Sequence, residues 1–258
     1  VGGGGLRGGR PQVGRVGRAG RGTATGVRRG AEALTADLWA CRWLRGGEVV
    51  AYDRDEAHRV AKVYRSLERD LIAEIKGGTI TVANALVKLL RLQQLTGGAL
   101  KVDESDTVIE VSTAKRDLLA DVLEDLPHEP IVIFCRFHHD LDAVHRVATR
   151  LNRPCAELSG RINELGVWTG WTGGILAVQV QAGSLGIDLT HARYALFYSL
   201  GFSLGQYTQA KARLVRPGQE HSVTFYHLLA RGTIDEGIMR ALDAKAEVVQ
   251  YVVEELRK

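Results

Sequence analysis

The sequence predicts an α/β fold built on a parallel sheet, and three observations carry that reading. Short apolar runs such as Ile131–Phe134, Ile175–Val180 and Tyr194–Tyr198 have strand length and are rich in β-branched or aromatic residues. Stretches with apolar residues at three- and four-residue steps separate several of them, which calls for crossover connections. A hydrophobic content of 45% over 258 residues is enough to cover both faces of such a sheet.

The order of elements follows from the glycine and proline punctuation. Residues 1–47 read as a low-complexity tail, disordered because its Gly/Arg-rich N-terminus cannot bury enough apolar surface to offset its ordering entropy. Within 31–47, Leu34, Leu38 and Trp39 have the spacing of a short helix that ends at Gly46-Gly47. Residues 48–111 read as a helical linker. Val60, Val63, Tyr64, Leu67, Leu71 and Ile75 line one face of a helix over 57–75, which Gly77-Gly78 ends. A second helix over 81–95, with Leu86, Leu89, Leu90 and Leu92 to bury, stops at Gly97-Gly98 and completes a hairpin.

The sheet region spans 112–232. A helix over 113–126 stops before Pro127. Strand 131–134, helix 138–151, strand 156–158, helix 161–171, strands 175–180 and 194–198, helix 204–214 and strand 222–228 follow. Residues 233–258 predict one long closing helix over 234–256. Thr233 is its N-cap, Asp235 and Glu236 sit in its first turn, and Ile238, Leu242, Val249, Val252, Val253 and Leu256 form its apolar stripe.

Charge is unevenly spread. The first 30 residues hold seven arginines, no lysine and no acid, which leaves −3 on residues 31–258 against +4 overall. The basic balance therefore describes the tail, and a uniformly basic, histone-like domain is excluded. Two readings of the tail stand: an arginine-glycine nucleic-acid tether, or an unstructured or spurious extension. Cys41, Cys135 and Cys155 make no CxxC pair, which argues for a reducing, cytoplasmic compartment and against structural zinc. No apolar run approaches the ~18 residues of a membrane span. The chain begins at Val1, and Met239 is its only methionine, which leaves open a fragment or a mis-set reading frame. Trp168 and Trp171 read as core, and His138-His139 lack a third ligand for a metal.

Two segments carry candidate chemistry. In Gln209–Gln219, Arg213 and Arg216 lie three apart on one face of a helix end, each a planar fork that matches phosphate oxygens. In Gln181–Leu189, a glycine-rich turn follows a strand, where open α/β sheets bind ligands. Gly183 and Gly186 allow backbone amides close to a phosphate or ribose, and Asp188 can accept hydrogen bonds from ribose hydroxyls.

Together these residues resemble the C-terminal half of a Swi/Snf-type helicase-like ATPase, a branch of helicase superfamily two, in its compact bacterial or phage form. Ile131–Phe137 resembles motif IV and Ala182–Leu189 motif V. Gln209–Gln219 resembles motif VI, whose family form is Q-x-x-x-R-x-x-R-x-G-Q, and Gly232–Glu236 resembles the G-T-I-D/E-E segment. Tyr64, Leu89–Gly98, Ser112 and Lys115 match the region before the second lobe, so the likeness covers about residues 57–257.

The resemblance implies a RecA-like lobe that works on ATP with Mg²⁺ and on double-stranded DNA. Arg213 and Arg216 would be arginine fingers acting on the γ-phosphate. Gly186, Asp188 and Gln209 would serve the nucleotide. Arg136, Phe137, Ser159, Gly160, Gly183 and Ser184 would lie near the DNA backbone. Departures are Val215, where the family usually has histidine, and Ser184, where glycine is common; the first puts coupling in question.

A complete motor of this type needs a first lobe with a P-loop and Mg²⁺-binding carboxylates. The chain has no GxxxxGK[ST]. Asp55–His58 spells DEAH, but Asp53-Arg54 separate it from the preceding apolar residues and it runs straight into a helix, so it reads as a coincidence. The expectation is a second motor lobe of a DNA translocase, inactive alone and partnered by a first lobe in cis or in trans. The alternatives are a non-catalytic nucleic-acid-binding module from a truncated or split gene, and an unrelated doubly wound nucleotide-binding domain.

Overall fold

The computed structural model describes residues 30–37, 42–43, 54–76, 82–101, 108–181, 186–217 and 219–257. Of residues 1–47, expected to be a disordered tail, 30–37 and 42–43 are among them and form strands; the rest of that expectation lies outside the described residues. Five parallel strands form the centre: β5 (Pro130–Cys135), β6 (Cys155–Leu158), β7 (Gly174–Gln179), β8 (Tyr194–Phe197) and β9 (Thr224–Ala230), in the order β9-β8-β5-β7-β6. Two further strands, β1 (Gly30–Asp37) and β2 (Arg42–Trp43), extend the sheet beyond β9, and β1 runs parallel to β9 from Gly30↔Thr224 to Ala36↔Ala230. The short helix expected over 31–47 is thus a strand where it is described. Its pairing partner lies nearly 200 residues away, beyond the reach of local spacing.

The strand period of two divides the core. Val132 and Phe134 of β5, Leu176 and Val178 of β7, and Ala195 and Phe197 of β8 point to one face. Ile131, Ile133 and Cys135, with Ile175, Ala177, Leu196 and Tyr198, point to the other. The second face is covered by α3 (Ala114–Asp125) and α4 (His138–Arg150). The first is covered by the hairpin of α1 (Arg54–Lys76) and α2 (Val82–Gly97), by α5 (Leu165–Thr169), by α6 (Leu204–Leu214) and by the closing helices. Asp55–His58 fall within the first turns of α1. Trp168 is fully buried and Trp171 packs against the same core, as their spacing implies.

Three local differences from the sequence reading have physical causes. The helix expected over 161–171 shortens to α5, because Ser159 and Glu157 backbone groups pair with Ile162 and Glu164 and hold the preceding residues in a turn. The closing helix is two: α7 (Ile234–Asp243) and α8 (Val248–Arg257). Lys245 adopts φ 53°, and the Lys245 and Ala246 amides donate back to Leu242 and Ala241. The break lets α8 fold back so that Val248, Val252 and Val253 enter the core and Arg240 meets Glu255 at 3.0 Å. A small antiparallel ribbon, β3 (Ala99–Lys101) with β4 (Val108–Glu110), follows α2. Gly98 makes that exit possible, with φ 95° and space for a Cβ only 2.3 Å from Ser112 O.

Two of the charged groups buried within this framework form an ion pair. Lys115 Nζ lies 2.6 Å from Asp235 Oδ2, and both side chains are at most 3% exposed. Asp235 Oδ2 also accepts the Ala230 amide at 3.1 Å, and its Oδ1 lies 2.9 Å from the Thr96 hydroxyl. The Thr233 hydroxyl caps α7, as the sequence suggests. Beside it the Ile234 amide donates to Tyr64 Oη at 2.8 Å, and Tyr198 Oη donates to Gly97 O at 3.1 Å. Helical hairpin and sheet are thereby docked through polar contacts as well as apolar ones.

At the β6 edge, the Glu157 carboxylate receives Ser159 Oγ, Arg161 Nε at 2.8 Å and His145 Nε2 at 3.1 Å. Burial alone would raise its pKa. The hydrogen bonds from Arg161, Ser159 and His145 outweigh burial and hold it at about 2.

Lys115→Met leaves the Asp235 charge buried without its counterion, and is expected to cost about 3–5 kcal/mol in urea unfolding. Adding Asp235→Leu should recover part of that loss. Because the folded-state pKa of Glu157 is depressed, its stabilisation is present above pH 4.5 and is lost as pH falls towards about 2. Urea midpoints measured from pH 5 to pH 2.5 should therefore fall more steeply for the wild type than for Glu157→Gln.

Candidate functional site

The connections out of β5 and β8 go to opposite faces of the sheet: β5 leads into α4 on one face, and β8 into α6 on the other. The carboxyl ends of these adjacent strands thus form the switch point at which open α/β sheets hold ligands. Arg136 and Phe137 follow β5, and Ser199–Ser203 follow β8. The two loops are pinned together, because the Arg136 amide donates to Ser199 Oγ at 2.7 Å and Ser199 Oγ donates to the buried Asp140 carboxylate at 2.6 Å.

Beside this point a small cleft is lined by Phe134, Val180, Ile187, Gln206, Gln209, Ala210 and Arg213. Helix α6 supplies four of these residues from one face, since 206, 209, 210 and 213 are spaced by three and four. Its start is set by Ser203, whose hydroxyl accepts the Gln206 amide. Arg213 is 8% exposed, and its Nε has no hydrogen-bond partner among the described residues. A buried guanidinium on the lining of a cleft, with a donor left unpaired, is suited to an anionic group brought in from outside. Gln206 lines the cleft although the motif reading passed over it; its place three residues before Gln209 is the signal that could have found it.

Asp188 lies on the turn after β7. Its Oδ1 accepts the Thr190 amide at 2.8 Å. That backbone bond, with the Thr190 hydroxyl and the nearby Arg216 charge, holds the carboxyl below its ordinary range. The next residue joins the two motifs directly, as the Leu189 amide donates to Arg213 O at 3.1 Å. Arg216, at the end of the same segment, is partly exposed, and its Nε reaches back to Ala212 O at 3.3 Å. The fold therefore brings Arg213, Arg216, Asp188 and Gln209 to one end of the sheet. A Cβ at Gly186 would meet nothing within 4 Å among the described residues. Gly183 and Ser184 lie outside the described residues.

The remaining predicted positions are spread along the same sheet end. Arg136 is half-buried, with its guanidinium 5.1 Å from the Phe202 ring centroid and 5.7 Å from that of Phe137. Burial lowers its pKa, against the opposing pull of Asp140. Phe137 stacks on His139, with centroids 5.1 Å apart. Ser159 is buried, and its hydroxyl is engaged with Glu157 and with the amides of Arg161 and Ile162. Gly160 is exposed, and its amide donates to Gln179 Oε1 at 3.2 Å. Among the described residues no group of three His, Cys, Asp or Glu side chains could hold a metal ion, and no helix is long and apolar enough to cross a membrane.

Comparison with known proteins agrees with this geometry. Residues 114–218 match the helicase conserved C-terminal domain. The chain is 22% identical over 201 residues to putative protein p41 of Acyrthosiphon pisum secondary endosymbiont phage 1, covering 76% of this chain and 43% of that one. It is 42% identical over 79 residues to the chromatin-remodeling ATPase INO80 of Mycosarcoma maydis, which covers 31% of this chain and 4% of the relative. The chain thus spans less than half the length of these relatives. In fold it is similar to the Sulfolobus solfataricus SWI2/SNF2 ATPase core solved with double-stranded DNA, with TM-score 0.59, 17% identity, and coverage of 89% of this chain and 49% of the other. The sheet order and these matches show that residues 114–218 are similar to the helicase conserved C-terminal domain, on a fold shared with the SWI2/SNF2 ATPase core.

Proposed function

We propose that this chain is the second motor lobe of an ATP-dependent DNA translocase, and that Arg213 and Arg216 supply positive charge to the phosphoryl group transferred from ATP. The observation that carries the proposal is Arg213: a buried arginine that lines a cleft beside the switch point of the sheet, with a buried Nε that has no hydrogen-bond partner among the described residues. Burial in a low-dielectric site strengthens its field on an incoming anion, and its position is already set before that anion arrives. Gln209 would contact the nucleotide from the same helix face. Asp188 and Gly186 would approach it from the turn after β7. MgATP supplies the phosphoryl group and the metal charge, and its Mg²⁺ ligands would come from a first lobe that faces this one.

DNA would run along the sheet end that carries Arg136, Phe137, Ser159 and Gly160, and Gly183 and Ser184 would contribute to its binding. Ser159 would serve there by shaping the loop that presents the Gly160 backbone, since its hydroxyl is already engaged. The seven arginines of the first 30 residues favour a second reading, a nucleic-acid-binding module without catalysis. In that case DNA affinity would depend on residues 1–30 and fall steeply with salt, while Arg213→Ala would leave it unchanged.

In a complete two-lobe motor carrying this lobe, Arg213→Ala should lower DNA-stimulated ATP hydrolysis by about 10³-fold. Arg213→Lys should not restore it, because an ammonium lacks the planar fork. The purified 258-residue chain by itself should turn over no appreciable ATP. DNA-stimulated hydrolysis by this chain that Glu56→Gln abolishes would overturn the proposal, because it would make Asp55–His58 a working site.

A further inference from the structure

Gln219 follows the end of α6 by five residues, is partly buried, and has no part in the chemistry proposed above. Its Nε2 lies 2.9 Å from Thr190 O, 3.2 Å from Ala192 O and 3.4 Å from Leu214 O. Its Oε1 accepts the His221 amide at 3.0 Å, and its own amide donates to Arg216 O at 3.1 Å. One side chain therefore collects carbonyls from two segments. Thr190 and Ala192 belong to the turn that begins at Asp188, and Leu214 closes the helix that carries Arg213.

The geometry places a donor where only a donor is favourable. Three carbonyl oxygens converging on one point repel one another unless N–H groups sit among them, and the two protons of a carboxamide can be shared across all three. The same segments meet again through the Leu189 amide and Arg213 O, while the Thr190 amide closes on Asp188. Two short steps thus connect Gln219 to the Asp188 carboxylate, and one connects it to the backbone beside Arg213.

We infer that Gln219 is a positioning residue. It clamps the Asp188 turn to the end of α6 and so sets the spacing between the Asp188 carboxylate and the Arg213 and Arg216 guanidinium groups. The inference rests on the reading of those groups as a nucleotide site. Loss of the clamp lets the two segments separate, and small misplacements at a reacting centre cost up to about 10²-fold in rate.

The test uses the complete two-lobe motor with Gln219→Met, which keeps length and removes the donor, and Gln219→Glu, which sets an acceptor among acceptors. Gln219→Met should lower kcat for DNA-stimulated ATP hydrolysis about 10- to 100-fold, with the KM for ATP within about threefold of wild type. Exchange of the Leu189 amide should accelerate. Gln219→Glu should be slower still at pH 8 and recover towards pH 6, as its carboxyl gains a proton it can donate, while Gln219→Met stays flat over that range. A kcat for Gln219→Met within twofold of wild type, in a motor that Arg213→Ala inactivates, overturns the clamp and leaves the nucleotide site standing. A loss of activity matched by a fall in thermal midpoint of more than about 5 °C, without recovery of Gln219→Glu at low pH, overturns it in favour of a purely structural role. Full activity of Arg213→Ala removes the nucleotide reading instead; the clamp then stands or falls on whether Leu189 exchange accelerates in Gln219→Met.

Discussion

The Lys115–Asp235 pair is the contact on which the arrangement of this chain turns. It joins the start of α3 to the start of α7, with both charges out of water. Removing two such charges from solvent costs several kcal/mol each, so the pair can persist only where the remaining lone pairs are used. They are: one Asp235 oxygen also takes the Ala230 amide at the end of β9, and the other faces the Thr96 hydroxyl at the end of α2. Four elements separated by up to 140 residues in sequence meet at one carboxylate. Tyr64 extends the same junction to α1 through the Ile234 amide.

That junction has a consequence for the site. The hairpin of α1 and α2 and the two closing helices all lie over the sheet face that also holds α6. Fixing them fixes the wall against which α6 packs, and α6 carries Gln206, Gln209 and Arg213 into the cleft. Burial of Arg213 is therefore a result of how tightly that face is covered. The other face, with α3 and α4, supplies the loop after β5 and the buried Asp140, which holds Arg136 and Ser199 in place from behind. The loop after β8 is thus braced by an element from the opposite face of the sheet.

Much of the fold was legible because its elements advertise themselves locally. Runs such as Ile131–Phe134 and Ile175–Val180 have strand length and composition, and Gly77-Gly78, Gly97-Gly98 and Pro127 mark helix ends whatever surrounds them. The helix break at Lys245 carried no such mark. Ala244–Glu247 contains neither glycine nor proline, and the apolar stripe runs on past it; the chain turns there because Val248, Val252 and Val253 gain burial by folding back. Asp235 was legible only as a favourable charge at a helix N-terminus. Nothing in its neighbourhood announces Lys115 as its partner. At the site, Arg213, Arg216, Asp188 and Gln209 stood out by motif, whereas Gln206 belongs to the cleft through helical geometry alone.

By itself the sequence determined the class of fold, the order of the central strands and helices, and the candidate phosphate-binding residues, because these follow from periodicity, punctuation and side-chain chemistry within a few neighbours. Only the tertiary structure decided which of those residues meet. It set β5 and β8 side by side with their helices on opposite faces, closed the Asp188 turn onto the end of α6, and sank one of the two arginines while leaving the other partly exposed. The reason is that burial and approach belong to pairs of segments distant in the chain, and a local pattern contains no information about which distant surface will cover it.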